Sequence, residues 1–400
     1  MQSNYSKSNA TTARISSIDF LRGFVMVIMA LDHVRMYFGA GTWYAEPTDL
    51  SSTTPLLFFT RWITHFCAPV FAFLAGTSAY LYGSKIQNTK QLAWFLFTRG
   101  LWLIFIEIIV VTFAWTFDVT YSNIILQVIW AIGISMTVLS ALVLLPWQII
   151  FGIGIIVVFG HNLLDPIHLR GTDALDVFWH VLHQPQRISF GDHLITIVYP
   201  VLPWLGLMAL GYVSGNLYKV DFSIEGRKRW LLAVGIGATI LFILLRSFHI
   251  YGEPIDWQKQ SSSIFTLMSF LNTTKYPPSL QFLLMTMGPA LIFLALIERT
   301  KLAAKNPLLV FGRVPFFFYV IHIYFIHALA MLALHYSGRD WKEYILSAHN
   351  MISGRLSNFG FGLGTVYVVW LIVLFVLYPL CRWYQKVREQ HPTNWWFRYL

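Results

Sequence analysis

The sequence has few charged residues and only two cysteines. Of its 400 residues, 12% are charged and 56% are hydrophobic, and the mean hydropathy is +0.60. This composition excludes an ordinary soluble domain. Cys67 and Cys381 fall at different expected membrane depths, so no disulfide is expected between them. No secretory signal peptide is expected either, because the first apolar stretch has span length and lacks a small-residue cleavage site.

Several motifs of catalysis and binding are also missing. The sequence has no Gly-x-Ser-x-Gly elbow, glycine-rich phosphate loop, dinucleotide fingerprint or Cys-x-x-Cys pair. Catalysis by a serine or cysteine nucleophile therefore has no motif to support it. There is no His-Glu-x-x-His pattern, and no metal is expected. The net charge of +10 comes from short basic segments between apolar runs, which argues against a nucleic-acid partner.

The apolar runs predict an all-α, polytopic membrane helix bundle that forms a single domain over residues 1–400. Each run is long enough for about 30 Å of hydrocarbon, or nearly so, and eleven spans remain an alternative to ten. Pro315 lies inside the ninth run, which is long enough to be broken. The ten predicted spans are Ile18–Phe38, Phe58–Tyr82, Ala93–Thr116, Ser122–Pro146, Trp147–His161, Leu194–Leu217, Trp230–Phe248, Leu280–Ile297, Leu308–His335 and Phe361–Cys381.

The distribution of lysine and arginine predicts the orientation of the bundle. Basic residues concentrate in alternate loops and in both tails, residues 1–17 and 382–400. The intervening segment 39–57 is acidic or neutral, although segment 336–360 is a basic exception. Because cytoplasmic loops carry the excess of basic residues, both termini are expected in the cytoplasm.

The first span carries the strongest functional signal. It contains Asp19, Arg22, Asp32, His33 and Arg35, although a charge near the bilayer centre costs several kcal/mol. Helical spacing places Asp19, Arg22 and His33 on one face, with about 16 Å along the axis between Arg22 and His33. One face thus presents a cation at one depth and an imidazole at another. The alternative is that these residues only hold neighbouring helices together.

Other polar residues are predicted at the depth of His33. A neutral imidazole can act as a general base near pH 7, and a neighbouring carboxylate such as Asp32 can orient it and stabilise its charged form. Tyr319 is predicted on the same helix face as His322 and could be its partner. The residues expected in this layer are His33, His65, His193, His322, His327, Asp32, Arg61 and Asp192. The remaining histidines of the second long outer segment, His168, His180 and His183, are expected to be surface residues.

Five blocks of sequence occur in a characteristic order. They are Arg14–Gly23, Arg61–Gly76, Tyr199–Gly206, Tyr276–Leu280 and Gly312–His322. These blocks resemble the bacterial relatives of the heparan-α-glucosaminide N-acetyltransferase catalytic domain. The spacing of Arg22 and His33 also resembles the opening of the membrane acyltransferase-3 superfamily.

The resemblance implies a membrane acyltransferase that takes acetyl-CoA from the cytoplasm and acylates an extracytoplasmic acceptor, commonly a sugar. A bacterial inner-membrane location follows from the same resemblance, and a homodimer is left open. The family's histidine in the first extracytoplasmic loop has no counterpart in segment 39–57, so it is not transferred. The predicted catalytic residues are His33, Asp32, His65 and His322, and those predicted to bind acyl-CoA are Arg22, Arg61 and Tyr319.

Two other functional classes remain open at this stage. A transporter or flippase would line its substrate path with the same polar face, although no internal repeat is visible. A catalytically inactive membrane scaffold would tolerate loss of the polar residues in its spans.

Overall fold

The protein is a bundle of helices in a computed structural model that describes residues 15–43, 45–300, 303, 305–391 and 394. The apolar runs of the sequence form most of its helices, as expected for an all-α membrane protein. The helices are α1 (Ser16–Phe38), α2 (Pro55–Ile63), α3 (Cys67–Ile86), α4 (Thr89–Ile106), α5 (Thr112–Thr116), α6 (Val128–Leu142), α7 (Trp147–Gly160), α8 (Ala174–Leu182), α9 (Leu202–Ser214), α10 (Ile224–Phe248), α11 (Ser263–Leu271), α12 (Leu280–Ile297), α13 (Pro307–Arg313), α14 (Pro315–Tyr336), α15 (Ala348–Ile352) and α16 (Leu363–Gln390).

Within the described ranges, seven helical segments are long and apolar enough to cross a membrane. They coincide with seven of the ten predicted spans and support an integral membrane protein. The three other predicted spans correspond to α1, which carries four charged residues, and to the shorter helices α6 and α9. The seven segments are Pro55–Ile86, Thr89–Thr116, Trp147–Leu164, Ile224–Phe248, Leu280–Ile297, Pro315–Tyr336 and Leu363–Gln390.

Two predicted spans begin as strands rather than as helices. The prediction of helix at the start of Ser122–Pro146 and of Leu194–Leu217 is wrong, since β1 (Asn123–Leu126) and β3 (His193–Ile197) occupy these positions. With β2 (Gln186–Phe190) they form a sheet in the order β1-β3-β2, parallel between β1 and β3 and antiparallel between β3 and β2. A short apolar run next to a helical run does not reveal its own period, so the sequence could not separate the two.

The ninth predicted span is broken, as its internal proline indicates. Helix α13 ends at Arg313, and α14 starts at Pro315, its first helical position. Proline fits this position because it has no N–H to contribute, and the residue before a proline is biased away from helix. The break allows α13 and α14 to contact α1 at different levels.

Helix α1 lies at the centre of the bundle. It contacts α3, α13, α14 and α16, and 16 of its 23 residues are buried. The tightest approach is to α13, where a Cβ on Gly23 would lie 1.7 Å from the Leu308 carbonyl oxygen and a Cβ on Gly312 would lie 1.8 Å from that of Asp19. Small residues allow membrane helices to approach this closely. This packing surrounds the charged residues of α1 with protein on several sides.

Candidate active site

Two histidines that are far apart in sequence form a hydrogen-bonded pair. His33 Nδ1 lies 2.7 Å from His322 Nε2, and His322 Nδ1 lies 2.9 Å from the carbonyl oxygen of Phe318. A carbonyl oxygen only accepts, so His322 Nδ1 carries a hydrogen, and Nε2 of the neutral ring is an acceptor. His33 Nδ1 therefore donates to it. When both rings are neutral, the lone pair remains on His33 Nε2, which is the basic atom of the pair.

Aromatic rings enclose the histidine pair. The His33 ring lies edge-on to Trp115, with ring centroids 4.8 Å apart. Tyr319 is 6.3 Å from His33 and 5.7 Å from His322 between ring centroids, and both contacts are edge-to-face. Tyr319 and His322, which the sequence places on one helix face, are thus in contact through their rings. His322 is fully buried and His33 only partly so, which leaves His33 as the more accessible member of the pair.

Asp32 belongs to an ion cluster next to this pair. Its Oδ1 accepts a hydrogen bond from Arg35 Nη2 at 2.9 Å, and its Oδ2 accepts one from Arg61 Nη1 at 2.6 Å. All three side chains are buried, and Arg61 comes from α2. His322, rather than Asp32, is the hydrogen-bonding partner of His33. Asp32 and Arg61 therefore join α1 to α2, and Asp32 neutralises part of the cationic charge of this cluster.

A tyrosine from the loop before α12 also lies at this cluster. The Tyr276 hydroxyl is 3.5 Å from that of Tyr199, and the Arg61 guanidinium is within its electrostatic range. Burial alone would raise the pKa of the Tyr276 phenol, but the charges of Lys275 and Arg61 outweigh burial and lower it. Tyr276 is thus a stronger acid than an ordinary tyrosine beside the cluster.

Tyr319 also lines a cavity of about 500 Å³. Its lining comes from residues that are far apart in sequence, including four arginines that reach it from α1, α4, α13 and α16. Tyr319 and Met26 also line it, together with apolar side chains of α3 and α6. The arginines are Arg22, Arg99, Arg313 and Arg388. Guanidinium groups bind phosphates through charge-assisted, often bidentate hydrogen bonds, so this cavity suits a ligand with several phosphates and an apolar part.

Several contacts fix Arg22 at the wall of this cavity. Its Nη1 donates to Asp19 Oδ1 at 3.0 Å and to the Gly312 carbonyl oxygen at 3.2 Å, and its Nη2 donates to Ser78 Oγ at 3.0 Å. Arg313 Nε lies 3.9 Å from the other carboxylate oxygen of Asp19. Asp19 thus makes a hydrogen-bonded ion pair with Arg22 and a longer ion pair with Arg313.

The predicted site residues divide into three groups in space. His33, His322 and Tyr319 meet, Arg22 and Tyr319 line the cavity, and Asp32 pairs with Arg61. The other three histidines of the predicted layer do not join the pair. The ring of His65 packs on Phe282, and His193 is exposed on β3. His327 lies between the backbone carbonyl oxygens of Ala114 and Tyr344, and its neutral ring donates to one of them at a time.

Three arginines and a glutamate near the site were not predicted from the sequence. Arg99, Arg313 and Arg388 are scattered along the chain, and basic residues near helix ends are ordinarily signs of topology. Glu107 is a lone carboxylate within an apolar run, which is a signal that could have been used. It begins a π-helical turn, Glu107–Val111, is completely buried, and accepts a hydrogen bond from Gln127 N at 2.9 Å. It lies within electrostatic range of Tyr319.

The fold and site together define a polytopic membrane protein built around a buried histidine pair and an arginine-lined cavity. The catalytic-domain model of the heparan-alpha-glucosaminide N-acetyltransferase family matches residues 14–250, and the chain belongs to this family. No curated protein matches the chain. Membership of this family indicates a membrane N-acetyltransferase. The match includes His33 and Arg22, whereas His322, Arg313 and Arg388 lie beyond it.

Proposed function

We propose that this protein transfers an acetyl group from acetyl-CoA to a hydroxyl or amino group of a sugar or glycan. Acetyl-CoA binds in the arginine-lined cavity from the cytoplasmic side, and the acceptor reaches His33 from the opposite side of a bacterial inner membrane. The family supports the reaction class. The proposed orientation of the protein in the membrane rests on the distribution of basic residues between the loops.

One observation carries the proposal. Tyr319 lines the cavity and also contacts the rings of both histidines of the pair. A ligand whose phosphates bind near Arg22 and Arg388 can therefore extend its acyl end past Tyr319 towards the histidine pair. Substrate geometry of this kind lowers the entropic barrier of a transfer between two bound reactants.

The proposed chemical step uses one base, His33. His33 Nε2 removes a proton from the hydroxyl or amino group of the acceptor. The lone pair of that oxygen or nitrogen attacks the carbonyl carbon of the thioester. The carbon–sulfur bond breaks, the acceptor keeps the acetyl group, and the CoA thiolate receives the proton from the His33 imidazolium. His322 holds His33 in the tautomer that leaves Nε2 unprotonated.

The test is a turnover assay of the purified full-length protein in nanodiscs. Acetyl-CoA and a panel of amino and neutral sugars are supplied, and release of CoA thiol and acetylated sugar is measured. The expected result is acceptor-dependent release of CoA by the wild-type protein and loss of release in His33→Ala, with acetyl-CoA binding retained. Acetyl-CoA binding without transfer to any acceptor, combined with flux of sugar across vesicles, would instead favour a transporter. No binding of acetyl-CoA by the folded protein would overturn the proposal.

A further inference from the structure

A second cluster of chemistry-bearing residues lies away from the histidine pair and the cavity. It is formed by His161, Asp165 and His183, whose side chains each offer an atom within 4.8 Å of the others. His161 and Asp165 follow the end of α7, and His183 directly follows α8. We propose that these three residues bind a divalent first-row transition metal ion, with zinc as the best fit. The sequence predicts no metal, and its prediction that His180 and His183 are surface residues is wrong, because both are buried.

The chemistry of the three side chains fits such an ion. Two imidazoles and one carboxylate are common zinc ligands and leave a fourth position for water. His183 Nε2 and Asp165 Oδ1 are 2.9 Å apart. Two ligands at about 2.0–2.1 Å from a tetrahedral ion are about 3.3 Å apart, so His183 and Asp165 would separate by a few tenths of an ångström when the ion binds. The ligand atom of His161 lies within 4.8 Å of theirs and would move towards the ion. The proton that now bridges these atoms would be released when the ion binds.

The environment of His161 is the independent observation. The residue is 2% exposed, and neither ring nitrogen has a hydrogen-bond partner among the described residues. A buried imidazole whose N–H and lone pair are both unpaired carries an unpaid desolvation cost. A metal ion bound to one nitrogen removes much of this cost. His183 Nδ1 is also buried without a partner in the described part of the chain, and the Asp165 side chain is 26% exposed and gives access to solvent.

The surroundings also orient the carboxylate. Asn162 Nδ2 donates to Asp165 Oδ2 at 2.8 Å, which fixes the group and leaves Oδ1 towards His183. Asn162 Oδ1 in turn accepts from Leu280 N at the start of α12. Hydrogen bonds from residues that do not themselves contact the ion commonly orient the ligand side chains. The bound ion would therefore clamp α8 and the adjoining sheet to the ends of α7 and α12.

The experiment measures metal binding to the full-length protein in detergent after removal of any affinity tag and treatment with EDTA. Zn²⁺ content after gel filtration and the visible spectrum with Co²⁺ are recorded for the wild type, Asp165→Asn, His183→Ala and the control His168→Ala. His168 is an exposed histidine of the same segment. The expected result is about one ion per chain and a four-coordinate Co²⁺ spectrum for the wild type and His168→Ala. Both ligand variants should bind at least about tenfold more weakly.

Asp165→Asn keeps the shape of the side chain, so it tests the site even if His183→Ala fails to fold. Thermal unfolding completes the experiment, because an ion that binds only the folded protein raises the melting temperature. Zn²⁺ should raise it for the wild type and His168→Ala, and at the same Zn²⁺ concentration it should raise it less for Asp165→Asn. Equal metal content in Asp165→Asn and wild type, or no bound ion in folded wild-type protein, would overturn the proposal. Acetyl transfer is not measured here, so this result is independent of the proposed reaction.

Discussion

His322 determines which nitrogen of His33 can act as a base. Because the Phe318 carbonyl oxygen accepts the hydrogen on His322 Nδ1, the 2.7 Å hydrogen bond between the rings has a single direction when both are neutral. His33 Nε2 then has the lone pair. His322 is thus a positioning residue, and its effect on catalysis is transmitted through His33.

Loss of either member of the histidine pair should reduce kcat and leave acetyl-CoA binding nearly unchanged. His33→Ala removes the base, and His322→Ala removes the group that fixes its tautomer. Each is expected to lower kcat by about 10²–10⁴-fold, with a KM for acetyl-CoA close to that of wild type. The double variant should lose little more than the worse single variant, because residues that act as a unit are not additive.

The matched control for this pair is His335→Ala, which alters an exposed histidine at the end of the same helix α14. It should retain wild-type turnover. Multiplicative losses in the double variant would show that the two histidines act independently, contrary to the proposed role of His322 in positioning His33.

Substitution of Arg99 or Arg388 by glutamine should weaken CoA binding without affecting the histidine pair. Each arginine lines the cavity, and loss of one charge-assisted hydrogen bond of about 1.5–3 kcal/mol corresponds to about 10–100-fold in Kd. Calorimetry with CoA and with dephospho-CoA would measure the effect and identify which arginine contacts the 3′-phosphate.

Arg229→Gln is the control for these two variants. Arg229 is exposed on α10 and does not line the cavity. A comparable loss of CoA binding in Arg229→Gln would attribute the effect to general surface charge rather than to the cavity.

Gly23→Ala should destabilise the bundle at the contact of α1 with α13. The added Cβ would lie 1.7 Å from the Leu308 carbonyl oxygen, so the helices must separate. Overpacking of this kind costs about 1–3 kcal/mol and should appear as a lower melting temperature. In the control Gly237→Ala, the new Cβ on α10 would meet no atom within 4 Å, and no loss is expected. Equal melting temperatures for the two variants would contradict the close packing of α1 and α13.

Asp118 should make the free energy of unfolding depend on pH in the acidic range. Its carboxylate accepts hydrogen bonds from N and Oγ1 of Thr120 and from N and Oγ of Ser122. Burial alone would raise the pKa of Asp118, but these hydrogen bonds outweigh burial and lower it. The stabilisation is therefore complete above the unfolded pKa of about 3.9 and is lost as pH falls through the lower folded pKa.

Asp118→Asn should accordingly melt at a lower temperature than wild type at neutral pH, and the difference should shrink below about pH 4. The exposed Asp221→Asn is the control and should melt like wild type throughout. A difference that stays constant from neutral to acidic pH would show that the hydrogen bonds to the charged carboxylate do not stabilise the fold.

The sequence predicted those parts of the site that lie within one helix. Arg22 and His33 are on α1, and helical spacing is sufficient to relate residues of one helix. The break before Pro315 was also predictable, because proline has a local effect on the backbone. For these features, local geometry decides the outcome.

The contacts between distant helices could not be predicted in the same way. Nothing in the spacing of the sequence relates His33 to His322 or brings Arg388 to the cavity of Arg22, because tertiary packing alone determines these contacts. The strands β1 and β3 were missed for a similar reason. Each is a short apolar run, and its partner lies far away in the chain.

The small sheet also indicates where the hydrocarbon must end. Strands β1 and β2 are its edges, and unpaired edge N–H and C=O groups are not tolerated among lipid tails. Strand β1 follows α5, whose Trp115 carbonyl oxygen accepts a hydrogen bond from the Tyr37 hydroxyl at 2.7 Å. His33 is one helical turn, about 6 Å, before Tyr37. In the proposed reaction, an acceptor arriving from the side of the sheet would therefore travel only a short way below the headgroups to meet His33, whereas a donor anchored at Arg22 would have to reach about 16 Å along α1.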